Sequence, residues 1–372
     1  MKRLIMAALL SAGYVLGQTE TNAPPQGPPP EVVARQEYQI GLGLLQENNF
    51  ASAAESFQRA TVAQPDFAEA YRQWGTALLQ LGRLSGTPQR QGQRLQEAAA
   101  KLGKAAELAP KDRMTWLLWS DTLALIGDLP VEPSLRLACY QGAVEKARKA
   151  VELAPEEWES YTKWAGVLTA KLSEFAASER ARVQLHLEAA SLYSNAVERA
   201  NFRGDIGTAC ANWGAALVRA ARASTVPDQK QTFLREAIEK FHRSSQAAPN
   251  SAVTYTMCGS AFMQFGKLTG VRNDLRDAIN QFTISLSLRP DDAATLYALA
   301  CAHALIGNPI VAIETLKKCF AADASGIYSK LALKDPDLTS LRDDLAFKDL
   351  YGTSALPHGI GTSNPPLRDG PR

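Results

Sequence analysis

Histidine and cysteine are scarce, four and five in 372 residues. No two histidines have metal-ligand spacing on one helix face, and none neighbours a cysteine pair. There is no C-x-x-C, no haem-attachment C-x-x-C-H and no zinc pattern. No P-loop, dinucleotide fingerprint or G-x-S-x-G occurs, and Ser160-Tyr-Thr-Lys163 matches S-x-x-K without its companion motifs. The acid-rich stretch Asp337–Asp349 lacks EF-hand spacing. These absences point to a chain with no cofactor, no metal and no catalytic centre. Neither sign of charge dominates: Lys+Arg is 40 and Asp+Glu is 38. Loss of Lys2 and Arg3 with a leader would leave 38 of each. A nucleic-acid binder needs a basic excess to replace phosphate counterions, so nucleic acid is not an expected partner. Five cysteines, an odd count in a long chain, rule out a small disulfide scaffold.

Long hydrophobic runs are also missing. The one extended apolar stretch, Leu4–Leu16, follows the basic start Met1-Lys2-Arg3 and falls short of the about 20 residues a bilayer helix needs. Basic start, apolar centre and small residue at the end describe a secretory signal peptide over 1–17, cleaved before Gln18, with cleavage after Ala23 as a second option. An uncleaved N-terminal anchor is the alternative. The mature chain is then expected to be exported, periplasmic or extracellular, with no integral membrane segment. Residues 18–30 read QTETNAPPQGPPP, an extended proline-rich linker. Residues 352–372 read as a disordered tail rich in Gly, Pro, Ser and Thr.

What is present between these ends is periodic. Pro65, Pro110 and Pro155 stand 45 and 45 residues apart, Pro249 follows at 94 and Pro290 at 41. Trp74, Trp119 and Trp164 share the 45-residue spacing, and Trp213 follows at 49. Within each unit, apolar and small residues recur at helical spacing, as in Tyr71, Trp74, Gly75 and Leu78. A second half carries Ala53, Phe57 and Ala60, or Ala237, Phe241 and Ser244. Proline then ends that helix, because it lacks the N–H and disfavours helix in the residue before it.

The chain thus resembles the tetratricopeptide repeat (TPR) family, whose pattern is W-x2-L-G-x2-Y, A-x3-F, then P. Residues 34–67 match through Ile40, Gly41, Leu44, Ala53, Phe57, Ala60 and Pro65. Seven units are expected, starting near Ala34, Ala68, Arg113, Trp158, Gly207, Ala252 and Ala293. The fold class implied is all-α, a right-handed α-α superhelix or solenoid of stacked helical hairpins over residues 31–326. Small residues at Gly41, Gly75, Gly214 and Gly259 would let paired helices approach, while Phe57, Leu102, Tyr193, Phe241, Phe282 and Leu316 fill the gap. Gly82, Gly127, Pro227, Gly266 and Gly307 are expected to mark intra-hairpin turns.

Units two to five exceed the family length by about 11 residues, or about 16 Å of helix at 1.5 Å per residue. Part of the excess in unit two is expected to be loop, around Gly86, Pro88 and Gly92. In unit four it should be helix, with Ser178 as an N-cap. Lengthened second helices should overhang one rim. Residues 327–351 are expected to cap the stack through Leu338, Leu341, Leu345 and Leu350, as solenoids require. The Trp positions, with Cys210, Cys258 and Cys319, read as core, and Cys301 and Cys319 stand close enough in the hairpin pattern to consider a disulfide.

In proteins the chain resembles, first helices line a concave groove that holds an extended peptide or a partner's helix. Carried over by register, the groove candidates are Tyr38, Arg72, Met114, Asp121, Glu159, Arg219, Gln264 and Tyr297, with Leu117, Met263 and Cys301 beside them. Tyr38 and Leu42 replace the Lys and Asn of the family's carboxylate clamp, so that activity is not expected. The function read from this pattern is an exported, non-enzymatic scaffold that binds a protein segment or peptide. The alternative is an enzyme or cofactor-dependent protein with a site in the long inserts, from Glu174, Glu179, His186 and Glu188. Self-association, end to end through an imperfect cap, is a third reading.

Overall fold

A computed structural model describes residues 27–351. The expected signal peptide, most of the linker and the tail lie outside the described residues. The described chain is all-α, with no strand among these residues. The helices are α1 (Pro30–Gln46), α2 (Phe50–Ala63), α3 (Ala68–Arg83), α4 (Pro88–Leu108), α5 (Arg113–Gly127), α6 (Pro133–Leu153) and α7 (Trp158–Ala170). There follow α8 (Glu179–Arg199), α9 (Arg203–Ala223), α10 (Pro227–Ala247), α11 (Ala252–Thr269), α12 (Arg272–Leu288), α13 (Ala293–Leu305) and α14 (Pro309–Ala322). Each odd helix packs on the even helix after it, and each hairpin packs on the next. No helix among the described residues is long and apolar enough to cross a membrane.

The proline landmarks sit in one recurring turn between hairpins. Its first and fourth residues are bonded N–H to C=O in Phe67→Gln64, Asp112→Ala109, Glu157→Ala154, Ser251→Ala248 and Asp292→Arg289. Gly326→Asp323 repeats the bond after α14 without a proline, where Gly326 takes φ +63°. Asp112, Ser251 and Asp292 cap the helices that follow, their side chains accepting backbone N–H groups that would otherwise lack partners. The α8–α9 connection has neither proline nor this turn. There α9 starts at Arg203 rather than near Gly207, because nothing stops the helix from adding a turn at its N-terminus.

Close approach inside the hairpins follows the small residues. A Cβ at Gly41 would fall 2.6 Å from the Phe57 ring, at Gly214 2.8 Å from Phe241, and at Gly259 2.6 Å from Phe282. Those three phenylalanines are at most 1% exposed. The lengthened units differ from expectation. Helices α4, α6, α8 and α10 each have 21 residues against 14 in α2 and α14. Among the first helices only α9, at 21 residues, and α11, at 18, exceed the 17 of α1, while α3, α5 and α7 have 16, 15 and 13. Gly82 and Gly266 lie inside helices, packed against Leu95 and Leu275, rather than in turns. In units two to four the second helix alone carries the extra helical length, whereas in units five and six both helices of the hairpin share it. Gly92 is likewise helical, and the loop in unit two is only Leu84–Thr87. In unit four Ser178 does cap α8, accepting from Ala181 N–H at 3.1 Å, but a 3-10 turn, Leu172–Phe175, takes up part of the insert.

Tryptophan is placed differently from expectation. All six are half-buried rather than core. Lys101 lies 3.9 Å from the Trp74 ring centre, Lys146 4.6 Å from Trp119 and Lys240 4.4 Å from Trp213. Each lysine follows its tryptophan by the same sequence interval, so the outer indole face is covered by a cation, a contact of about 0.5–1 kcal/mol at exposed sites. Trp164 is the exception, its indole N–H buried without a partner.

All five cysteines are buried and unpaired, so Cys301 and Cys319 form no disulfide. Cys319 takes the place filled by Ser244 and Ser285 in the preceding hairpins. Its thiol donates to Ala293 C=O at 3.3 Å, as those hydroxyls donate to Gly207 and Ala252. Burial pushes the Cys258 and Cys319 thiols up to about 12. The expected result of thiol titration at neutral pH is no reaction in the native chain and five equivalents in denaturant. Fast native labelling of Cys258 or Cys319 would contradict this packing.

The C-terminal segment covers the last hairpin, as a solenoid end requires. Helix α15 (Ile327–Ala332), a 3-10 turn (Pro336–Leu341) and α16 (Leu345–Asp349) carry it. Leu338, Leu341 and Phe347 are fully buried, but Leu345 is 76% exposed. The 3-10 turn shifts the inward face by two residues, so Phe347 takes the place assigned to Leu345 in a continuous helix.

Candidate functional site

The odd-numbered helices touch one another along the stack and form its inner row. Three sequence candidates meet there. Met114 and Asp121 on α5 and Glu159 on α7 line a cleft of about 320 Å³ whose other walls are Leu117, Leu118, Trp158, Thr162 and Lys163. Its floor is aliphatic and aromatic, and its rim carries both charge signs. Asp121 accepts from Lys163 Nζ at 2.7 Å, and Glu159 stands 3.8 Å from Arg113. Both pairs cross between neighbouring first helices.

The remaining candidates are dispersed. Tyr38 packs between Phe57 and Phe67, ring centres 5.7 and 5.0 Å away, so it belongs to the first hairpin's apolar cluster. Arg72 pairs with Asp112 at 3.1 Å. Gln264 accepts from Arg222 Nε at 3.1 Å. Arg219 is exposed on α9, and its charge faces His186 and Tyr193 of α8. Tyr297 departs most from its expected role: only 7% exposed, it donates to Asp335 at 2.7 Å and is covered by the cap. Sequence register placed it on the groove wall but could not show that the chain's own segment lies over it. Lys163, Arg113 and Arg222, which hold Asp121, Glu159 and Gln264 from adjacent first helices, were not singled out by register. The repeat offset between opposite charges is the signal that finds Lys163 and Arg113, with Asp121 and Lys163 separated by 42 residues.

That covering segment is itself informative. Residues 335–341 lie on α13, with Asp335 accepting from Tyr297 and Asp337 paired with Lys267 of α11. Arg342 donates back to the Asp335 carbonyl at 3.0 Å. Leu338 and Leu341 are buried beneath. A short acidic and aliphatic stretch of chain thus occupies the groove positions of the last hairpin.

The insert residues weighed for chemistry stay apart. Glu174, Glu179 and Glu188 are exposed, whereas His186 is 4% exposed and its Nδ1 has no partner. No group of three or more His, Cys, Asp or Glu side chains able to hold a metal occurs among the described residues. Desolvation lowers the His186 pKa to about 4, and Arg219 and Arg182 act in the same direction. The unfolded chain, with a value near 6.5, therefore binds more protons as pH falls from 6.5 toward 4, and the folded state loses stability over that window. The expected difference between pH 7 and pH 4.5 is about 2 kcal/mol from this residue. Denaturant midpoints of the wild type and of His186→Gln at the two pH values check it. Equal pH dependence in both would remove the assignment.

No protein-family model and no curated protein sequence matches the chain. Solved structures that match include TPR proteins. The C-terminal part of a TPR repeat-containing protein from Cytophaga hutchinsonii aligns with TM-score 0.52 at 12% identity, over 80% of this chain and 100% of that one. A tetratricopeptide repeat protein from Parabacteroides merdae gives 0.51 at 11% identity, over 83% and 99%. At these identities the likeness is one of fold.

Proposed function

We propose that this chain is an exported, non-enzymatic scaffold that holds an extended protein segment along its inner row of helices. The observation that carries this reading is the chain's own stretch 335–341, seated on groove positions of α13 with its leucines buried and its carboxylates paired. A surface that takes one such stretch in cis has the shape and chemistry to take another in trans. The cleft between α5 and α7 offers the next such place, where Met114, Leu117, Leu118 and Trp158 can receive an apolar anchor and Asp121, Glu159 and Lys163 can orient a backbone. Export rests on the basic and apolar leader of residues 1–17, and an envelope assembly is the setting proposed.

The test is peptide-array binding by residues 18–372, followed by solution affinities of the hits. Met114→Asp with Glu159→Lys should weaken those peptides by about tenfold or more. Peptides that bind both proteins equally, or an absence of saturable hits, would defeat the groove reading. Secretion of a reporter fused after residues 1–25 checks the leader separately.

A further inference from the structure

A second cleft, of about 420 Å³, opens between α9, α10 and α11. Arg222, Lys230 and Lys267 line it with Gln264, and its apolar surface is Ala221, Leu234 and Leu268. No acidic side chain is among its lining residues. Arg222 lies in the last turn of α9, Lys230 in the first turn of α10 and Lys267 in the last turn of α11. All three cations therefore sit at the turn end of the lengthened hairpins, away from the positions that the family pattern supplies. Among the described residues, Arg222 and Lys230 have no carboxylate partner, while Lys267 holds Asp337 of the chain's own groove-seated segment.

We propose that this cleft binds an acidic polypeptide segment with aliphatic side chains, lying beside Asp337 of the chain's own groove-seated stretch. The proposal rests on the groove reading above and names the class of segment that this part of the groove selects. Two features identify the ligand. Arg222 and Lys230, which have no carboxylate partner among the described residues, leave a positive field that an anionic partner neutralises, beside a Lys267 already held by Asp337. Leu234 and Leu268 give the floor an apolar character that a bare anion would leave unused. The arrangement repeats what residues 335–341 already display, with carboxylates on Lys267 and Tyr297 and leucines beneath. Gln264 holds the Arg222 guanidinium through Nε, which leaves its terminal nitrogens to meet a carboxylate.

The experiment is fluorescence anisotropy of a labelled peptide of alternating aspartate and leucine, titrated with residues 18–372. Arg222→Gln with Lys230→Gln should raise Kd about tenfold, and affinity should fall as salt is raised from about 50 to about 500 mM. Both side chains are at the surface, and thermal melts by circular dichroism establish that the variant is folded. Unchanged affinity in the variant overturns the proposal. So does binding of tripolyphosphate, or of vesicles containing phosphatidylserine, at concentrations where the peptide fails to bind. If the peptide ignores Arg222 and Lys230 but is lost in Met114→Asp, this inference fails while the groove reading stands. If neither cleft's substitutions affect any peptide, both fail.

Discussion

Phe241→Ala is expected to destabilise the centre of the stack by about 3–5 kcal/mol, the range for removing a fully buried aromatic from a core that cannot collapse around the void. Phe241 is 1% exposed on α10, lies over Gly214 of α9, and joins the cluster that includes Cys258 and Ala261 of α11. One ring thus serves both the hairpin and its contact with the next. In a solenoid each unit depends on its neighbours, so hydrogen exchange should accelerate in α9, α10 and α11 and little in α1 and α2. Gly214→Val tests the same contact from the other side. A Cβ there meets the Phe241 ring at 2.8 Å, so overpacking of about 1–3 kcal/mol should exceed the helix-propensity gain of replacing glycine. A stabilised Gly214→Val protein would show that the hairpin is looser than described.

The cap should behave with the same locality. Leu341→Ala removes a fully buried side chain between the 3-10 turn and α13 and is expected to cost about 2–5 kcal/mol. The loss should appear as faster exchange in α13 and α14, with α1 to α4 unchanged. Leu345→Ala is the internal control, because that residue is 76% exposed and surface changes stay within about 0.5 kcal/mol. Equal costs for the two substitutions would mean that the segment forms the continuous helix suggested by leucine spacing. That outcome would also remove the template on which the peptide-binding reading rests.

The sequence was most legible where one residue type does one physical job. Proline between hairpins has no N–H to donate, so the landmarks at Pro65, Pro110, Pro155, Pro249 and Pro290 coincide with a single turn geometry. Glycine at 41, 214 and 259 faces a phenylalanine that no larger residue would admit. Reading failed where one residue type has two uses. Gly82 and Gly266 looked like turn formers but serve as contact points near the ends of helices α3 and α11. Tryptophan looked like core, yet a lysine from the second helix covers the outer face of Trp74, Trp119 and Trp213. Of the groove candidates, Met114, Asp121 and Glu159 converge on one cleft, whereas Tyr38 and Tyr297 are engaged by their own chain.

Periodicity along the chain determined that helices pair and stack, because burying an apolar stripe on each helix leaves few other arrangements for units that cannot be stable alone. It also determined where those pairs end, since a backbone without an N–H cannot continue a ladder. Only the tertiary structure decided which wall positions remain open. That depends on residues far apart in sequence, Lys267 on Asp337 and Tyr297 on Asp335, and on a 3-10 turn that rotates Leu345 outward and Phe347 inward. A local pattern sets which face of a helix is apolar, but what comes to lie against that face is a property of the whole packed chain.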